Sequence, residues 1–239
     1  MLTPIDHVLV GAIALLIPLY DLLVWYPRLV NAPAGSRGRS RLRAYNEGMV
    51  QQWGLALATL VVWHTQARSW TDLGLGFSLS WQFALALALA LGFMVFSLWQ
   101  RAELAQESET EARDDLRAQL QHLRALLPHT AREWRRFQFL SVTAGICEEL
   151  LYRGFLIWYL ATMLPTGVAL VIAGALFGMA HAYQGGRGMV QTGLVGLVMG
   201  VLYLLSGSLW IPMVLHAFID LNSGGIAFAL LSEEPDQAV

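Results

Sequence analysis

The stretch Glu148-Glu149-Leu150-Leu151-Tyr152-Arg153 places two adjacent carboxylates and one guanidinium in a largely apolar run from Phe137 to Leu164. Charge is expensive in such a setting and marks function. On a helix Glu149 and Arg153 share one face, four residues apart with the acid first, so they can neutralise each other. Glu148 is left over on another stripe, with Tyr152 one turn beyond it. An unpaired, poorly solvated carboxylate is a usable general base near neutral pH. Three further polar groups lie deep in later apolar stretches: His181, which closes Phe177-Gly178-Met179-Ala180-His181, and the pair His216 and Asp220, four apart on one helical face. One Glu, two His and one Asp on successive helices make a candidate catalytic site. Glu148 and His181 could share a water whose proton the carboxylate takes. His216 and Asp220 could hold or polarise a carbonyl, with Asp220 fixing the imidazole tautomer or, if protonated, donating a hydrogen bond. The same residues have plainer readings. Glu149 with Arg153 is also what a structural ion pair looks like, and a lone membrane histidine is often a bonded packing residue.

The elements that must hold these groups are membrane helices. Of 239 residues, 56% are hydrophobic and 13% charged, with mean hydropathy +0.51. That balance predicts an all-α fold, a polytopic membrane helix bundle of about seven transmembrane helices plus a cytoplasmic amphipathic helix. The expected spans are about 5–26, 49–65, 81–99, 139–164, 168–183, 189–205 and 209–231. The first is too long for a signal-peptide core and lacks a basic flank, so it reads as a retained span kinked at Pro18. The following segment, with Arg37, Arg39, Arg41 and Arg43 among Gly and Ser, reads as a basic cytoplasmic loop, which puts the N-terminus outside and the acidic tail inside. Between 101 and 127 acids and arginines surround Leu116, Leu120, Leu123 and Leu127, the pattern of an amphipathic helix ended by Pro128. Thr130 and Glu133 then form a capping box that opens the next helix.

Three regions follow from this reading: a three-span part at 1–100, a cytoplasmic amphipathic segment at 101–136, and a four-helix membrane core at 137–239. Gly174 with Gly178, and Gly196 with Gly200, are small-residue pairs that let helices approach closely. Asp21, His7 and His64 fall near span ends and read as interfacial. The single cysteine, Cys147, excludes an internal disulfide and any cysteine-based metal cluster. A net charge of −2 gives no reason to expect nucleic acid as a partner.

The ordered set Glu148-Glu149-x-x-x-Arg153, Phe177-x-x-x-His181 and His216-x-x-x-Asp220 resembles the CPBP family, which comprises type II CAAX prenyl endopeptidases and their bacterial relatives, also called Abi proteins. The resemblance runs from Phe139 onward and implies an all-helical intramembrane endopeptidase. It implies Glu148 as catalytic glutamate with His181 as its partner, and His216 with Asp220 as the oxyanion-stabilising pair. Glu149 and Arg153 complete the motif in a supporting role. Many family members carry Asn where this chain has Asp220, so a donor role there depends on protonation or on action through His216. The implied substrate is a membrane-associated protein or peptide, met within the lipid bilayer. No cofactor is expected, and Zn2+ held by Glu148, His181 and His216 is the alternative. The serine, aspartyl and His-Glu-x-x-His signatures of other intramembrane proteases are absent from the chain. The readings outside proteolysis are a non-catalytic immunity or scaffold protein and a transporter with a carboxylate proton relay. The all-arginine, tryptophan-rich composition reads as bacterial, which points to the inner membrane. Oligomeric state and prenyl specificity have no signature in the chain.

Overall fold

The computed structural model describes residues 2–106, 116–118 and 120–232. All regular elements among these residues are helical. Helix α1 is one rod, Pro4–Val30. It widens into π-helical turns at Ala12–Leu16 and Asp21–Trp25. Each wide turn contains the residue four before a proline, Ala14 before Pro18 and Leu23 before Pro27. A proline ring collides with the carbonyl at that position, and the wider turn makes room for it.

Helix α2 is Arg37–Thr65, 29 residues long. It corrects the expectation of a basic loop followed by a short span. Arg37, Arg39, Arg41 and Arg43 form its first turns. Arg43 pairs with Glu47 one turn on at 2.7 Å, and Arg41 reaches Glu133 on a neighbouring helix at 3.2 Å. Charges that find partners at helical spacing extend the helix into the polar segment. Helix α3, Trp81–Gln106, also runs past its expected end, so residues 101–106 continue this helix and do not open a separate one. Of the rest of the expected amphipathic helix, 107–115 and 119 lie outside the described residues. Residues 116–118 are helical, while Gln121–Leu123 is a 3-10 turn. Leu120, Leu123 and Leu127 still pack on Ala227 and Leu231 of the bundle, as an apolar stripe should.

Helix α4 begins at Ala131 with the expected capping box: Glu133 N–H donates to Thr130 Oγ1 at 3.3 Å, and Thr130 N–H to Glu133 Oε2 at 3.1 Å. It is α-helical to Glu148, π-helical over Glu149–Leu156 and α-helical again over Ile157–Ala161. Three helices complete the bundle: α5 (Thr166–Ala180), α6 (Gly185–Ser206) and α7 (Trp210–Leu231). Among the described residues, four helices are suited by length and composition to crossing a membrane: Pro4–Val30, Trp81–Glu103, Ala182–Ser206 and Trp210–Leu231. Helix α5 is apolar but only 15 residues long. Helices α2 and α4 fall short on composition because Gln51, Gln52 and His64 dilute the apolar half of α2 and α4 carries the charged motif. Of the seven expected spans, four meet these criteria among the described residues.

Helix α4 lies at the centre, parallel to α2 and antiparallel to α7. Tyr45 meets Phe137 at one end of the α2–α4 contact, and Trp63 meets Trp158 at the other. Glycines set the closest approaches. A Cβ at Gly145 of α4 would lie 2.7 Å from the Ala217 nitrogen and 2.8 Å from the Met213 oxygen of α7. A Cβ at Gly178 of α5 would lie 2.6 Å from the Met189 oxygen of α6. Without a hydrophobic driving force between helices in lipid, such close backbone packing supplies much of the association energy. Gly145→Val should therefore wedge α4 from α7 and cost about 1–3 kcal/mol, read as a lower thermal unfolding temperature in detergent. Gly92→Ala on α3, where an added Cβ meets nothing within 4 Å, should unfold with the wild type.

Candidate active site

The candidate site forms where the α-helical part of α4 gives way to its π-helical part. π-Helical turns cluster at functional positions because they redirect side chains at the cost of poorer backbone bonding. Glu148 is the last α-helical residue and Glu149 the first π-helical one.

Glu149 faces into the bundle and is completely buried, 0% exposed, so its charge requires partners there. It has two. Arg153 donates from Nη1 to Glu149 Oε1 at 2.9 Å, and His216 Nδ1 donates to the same oxygen at 2.7 Å. The guanidinium, 3% exposed, also donates from Nη2 to the Gly196 carbonyl at 3.1 Å, and its Cζ lies 4.2 Å from the centre of the Phe177 ring. The sequence pairing of Glu149 with Arg153 is thus present, and Glu149 has a further task. A carboxylate can only accept, so its contact places a proton on His216 Nδ1 and turns Nε2 toward the cavity.

His181 stands at the C-terminal end of α5. Its Nδ1 donates to the Phe177 carbonyl at 2.8 Å, one turn back, which leaves Nε2 as an acceptor. Glu148 Oε2 lies 4.0 Å from His181 Nε2 and 3.9 Å from His216 Nε2. That oxygen is buried without a hydrogen-bond partner. The spacing suits one small polar molecule about 2.8 Å from each atom it bridges. Asp220 is further out. Its Oδ2 lies 3.8 Å from His216 Nε2, beyond hydrogen-bond reach, and its side chain is 36% exposed. The expectation that Asp220 fixes the His216 tautomer is corrected accordingly: Glu149 holds Nδ1, while Asp220 flanks Nε2.

Two groups from the first half of the chain join these residues. Gln52 of α2 donates from Nε2 to Glu148 Oε1 at 2.8 Å. Its neighbour Gln51 reaches Asp21 of α1 at 3.5 Å. Asp21 lines the same cavity as Glu148, so its interfacial reading is corrected. His7 instead bonds the Tyr159 hydroxyl at 2.6 Å, and His64 stacks on Trp70. Two consecutive glutamines in the apolar part of α2 were a signal available in the sequence, weaker than a charge but of the same kind. Tyr183, packed on Tyr26 and His181, also lines the cavity and carried no such signal.

The cavity, about 440 Å³, is polar around Glu148, His181, His216, Asp220 and Asp21. It continues along an apolar wall that includes Leu123, Leu127, Phe137 and Leu140. Glu148, His181 and His216 remain 12–17% exposed, enough for small molecules to reach them. Among the described residues no group of three His, Cys, Asp or Glu side chains is placed to hold a metal ion.

The Glu149–Arg153 pair can be tested by itself. Arg153→Met should cost about 3 kcal/mol, the low end for an orphaned buried ion because His216 still contacts Glu149. The double variant Glu149→Gln/Arg153→Met should recover part of that loss in thermal unfolding, since it removes the orphaned charge.

Compared with known proteins, residues 130–222 match the family model described as Type II CAAX prenyl endopeptidase Rce1-like. The matched segment runs from the N-cap of α4 into α7 and holds Glu148, Glu149, Arg153, His181, His216 and Asp220. No curated protein and no solved structure matches the chain. The family so described is one of peptidases, and among the described residues four helices are long and apolar enough to cross a membrane.

Proposed function

We propose that this protein is an intramembrane endopeptidase that hydrolyses a peptide bond in a membrane-associated protein or peptide, without a metal. The observation that carries the reading is the unpartnered Glu148 Oε2 between two imidazole Nε2 atoms, at 4.0 and 3.9 Å, in a cavity walled by membrane helices. A water between Glu148 and His181 gives its proton to Glu148, and its oxygen adds to the scissile carbonyl carbon. The carbonyl oxygen becomes an oxyanion, stabilised by His216 Nε2–H when the ring is doubly protonated. Glu149 on one side and Asp220 on the other balance that charge. Collapse of the intermediate breaks the C–N bond, and Glu148 returns the proton to the departing amine. Burial favours each step, because charges in a poorly solvated site interact more strongly than in water.

The apolar wall suits a hydrophobic peptide segment. The family description makes a prenylated C-terminal peptide the first substrate to try. Arg28, Arg37, Arg39, Arg43, Arg132, Arg135 and Arg136 gather at the end of the bundle where α1 finishes and α2 and α4 begin. Under the positive-inside rule that end is cytoplasmic, which leaves the N-terminus outside and the C-terminus inside, in keeping with a bacterial inner-membrane protein. Zinc is the second mechanistic reading, since two imidazoles and a carboxylate are sufficient catalytic ligands. The described side chains do not converge as a metal-binding group.

Purified wild-type protein and its Glu148→Gln, His181→Asn and His216→Asn variants can be compared on a farnesylated, internally quenched CAAX peptide and on an unprenylated membrane peptide. Glu148→Gln should lower cleavage about 100-fold or more, and a chelator should leave the wild type unchanged. Cleavage by Glu148→Gln equal to the wild type would refute Glu148 as the base, and full phenotype rescue by Glu148→Gln in cells lacking the gene would refute the protease reading and favour an immunity or scaffold role. Loss with chelator and recovery with zinc would refute the metal-free version.

A further inference from the structure

We infer that Gln52 is a positioning residue for Glu148, contributed by the part of the chain outside the matched segment 130–222. The inference rests on the endopeptidase reading above. A glutamate carboxylate turns easily about its last bond, so either oxygen can face the histidines. Gln52 Nε2 holds Oε1 at 2.8 Å, and the other oxygen, Oε2, is then the one set between His181 and His216. Gln52 thereby selects the oxygen that meets the water and the rotamer in which it does so.

The rest of the amide supports this assignment. Gln52 Oε1 is buried and has no hydrogen-bond partner, so the side chain serves no other polar network among the described residues. A buried, half-satisfied amide costs stability, and such groups call for an explanation other than packing. Chemical type matters as well. Glu149 has a cation, Arg153, and its charge is neutralised. Glu148 has a neutral donor, which orients the carboxylate and leaves its negative charge available to the water. Gln51 occupies Asp21 on the adjacent helix, so that carboxylate does not compete for the Gln52 amide.

The test begins in cells lacking the gene, complemented with wild type, Glu148→Gln or Gln52→Met. Peptide termini that appear with the wild type and vanish in the deletion define the products. A peptide spanning one such cleavage site then serves as the kinetic probe for the purified proteins. Gln52→Met keeps the side-chain length and removes the donor. It should lower kcat about 10- to 100-fold, with KM and the thermal unfolding temperature close to wild type. A kcat within about threefold of wild type, while Glu148→Gln is inactive, would overturn the role of Gln52 alone. A fall in kcat together with a collapse of the unfolding temperature would assign Gln52 to packing and overturn it too. Products that persist with Glu148→Gln, or that never appear with the wild type, would overturn the endopeptidase reading itself. If Gln52→Met fails to accumulate, Gln52→Leu also lacks the donor, keeps an apolar side chain of similar bulk and is expected to show the same loss of kcat.

Discussion

The Glu149 carboxylate, with none of its surface exposed, is the group around which the interior is arranged. A charge there is tolerable only with partners at hydrogen-bond distance, and they come from two directions. Arg153 arrives from the same helix and His216 from α7, both on one carboxylate oxygen. Through Arg153 the arrangement extends to the Gly196 carbonyl on α6 and the Phe177 ring on α5. One buried ion therefore links four helices and fixes the imidazole that faces the cavity.

Adjacency in sequence hides a division of labour between the two glutamates. Successive residues on a helix point in different directions, so Glu149 enters the core and Glu148 the cavity. The first is neutralised by a cation. The second meets a neutral amide and two imidazole edges, an arrangement that orients the carboxylate without quenching its charge. The π-helical start at Glu149 lies at the point where the two paths separate.

Close packing keeps these distances short. Gly145 lies one turn before Glu149 and lets α4 approach the backbone of α7 near Met213 and Ala217, beside His216. Gly178 does the same for α5 and α6, three residues before His181. In each case a side chain on the interface would separate elements that must present functional groups a few ångströms apart. Stability and site geometry thus depend on the same small residues.

Much of this was legible in the sequence. Hydropathy specifies a helical membrane protein, because backbone in lipid must be satisfied within helices or closed barrels, and continuous apolar runs of about 20 residues suit helices and not alternating barrel strands. Charge inside an apolar run marks Glu148, Glu149, Arg153, His181, His216 and Asp220, and helical spacing alone pairs Glu149 with Arg153. Local rules also placed the Thr130–Glu133 cap. What they could not reach were contacts between residues far apart in the chain. Periodicity reports which face a residue occupies and says nothing about which helix lies opposite. Gln52 meets Glu148 across 96 positions, and His216 meets Glu149 across 67. Asp220 was the nearer candidate for orienting His216 because it lies one turn away, but a partner across the bundle reached Nδ1 first. Residue type and spacing were enough to mark the groups too costly to be idle in a membrane. Packing between helices settled that Glu149 also holds His216 and that Glu148 meets Gln52 at the cavity, since a buried charge is governed as much by what the opposing helices place within about 3 Å of it as by its own helix.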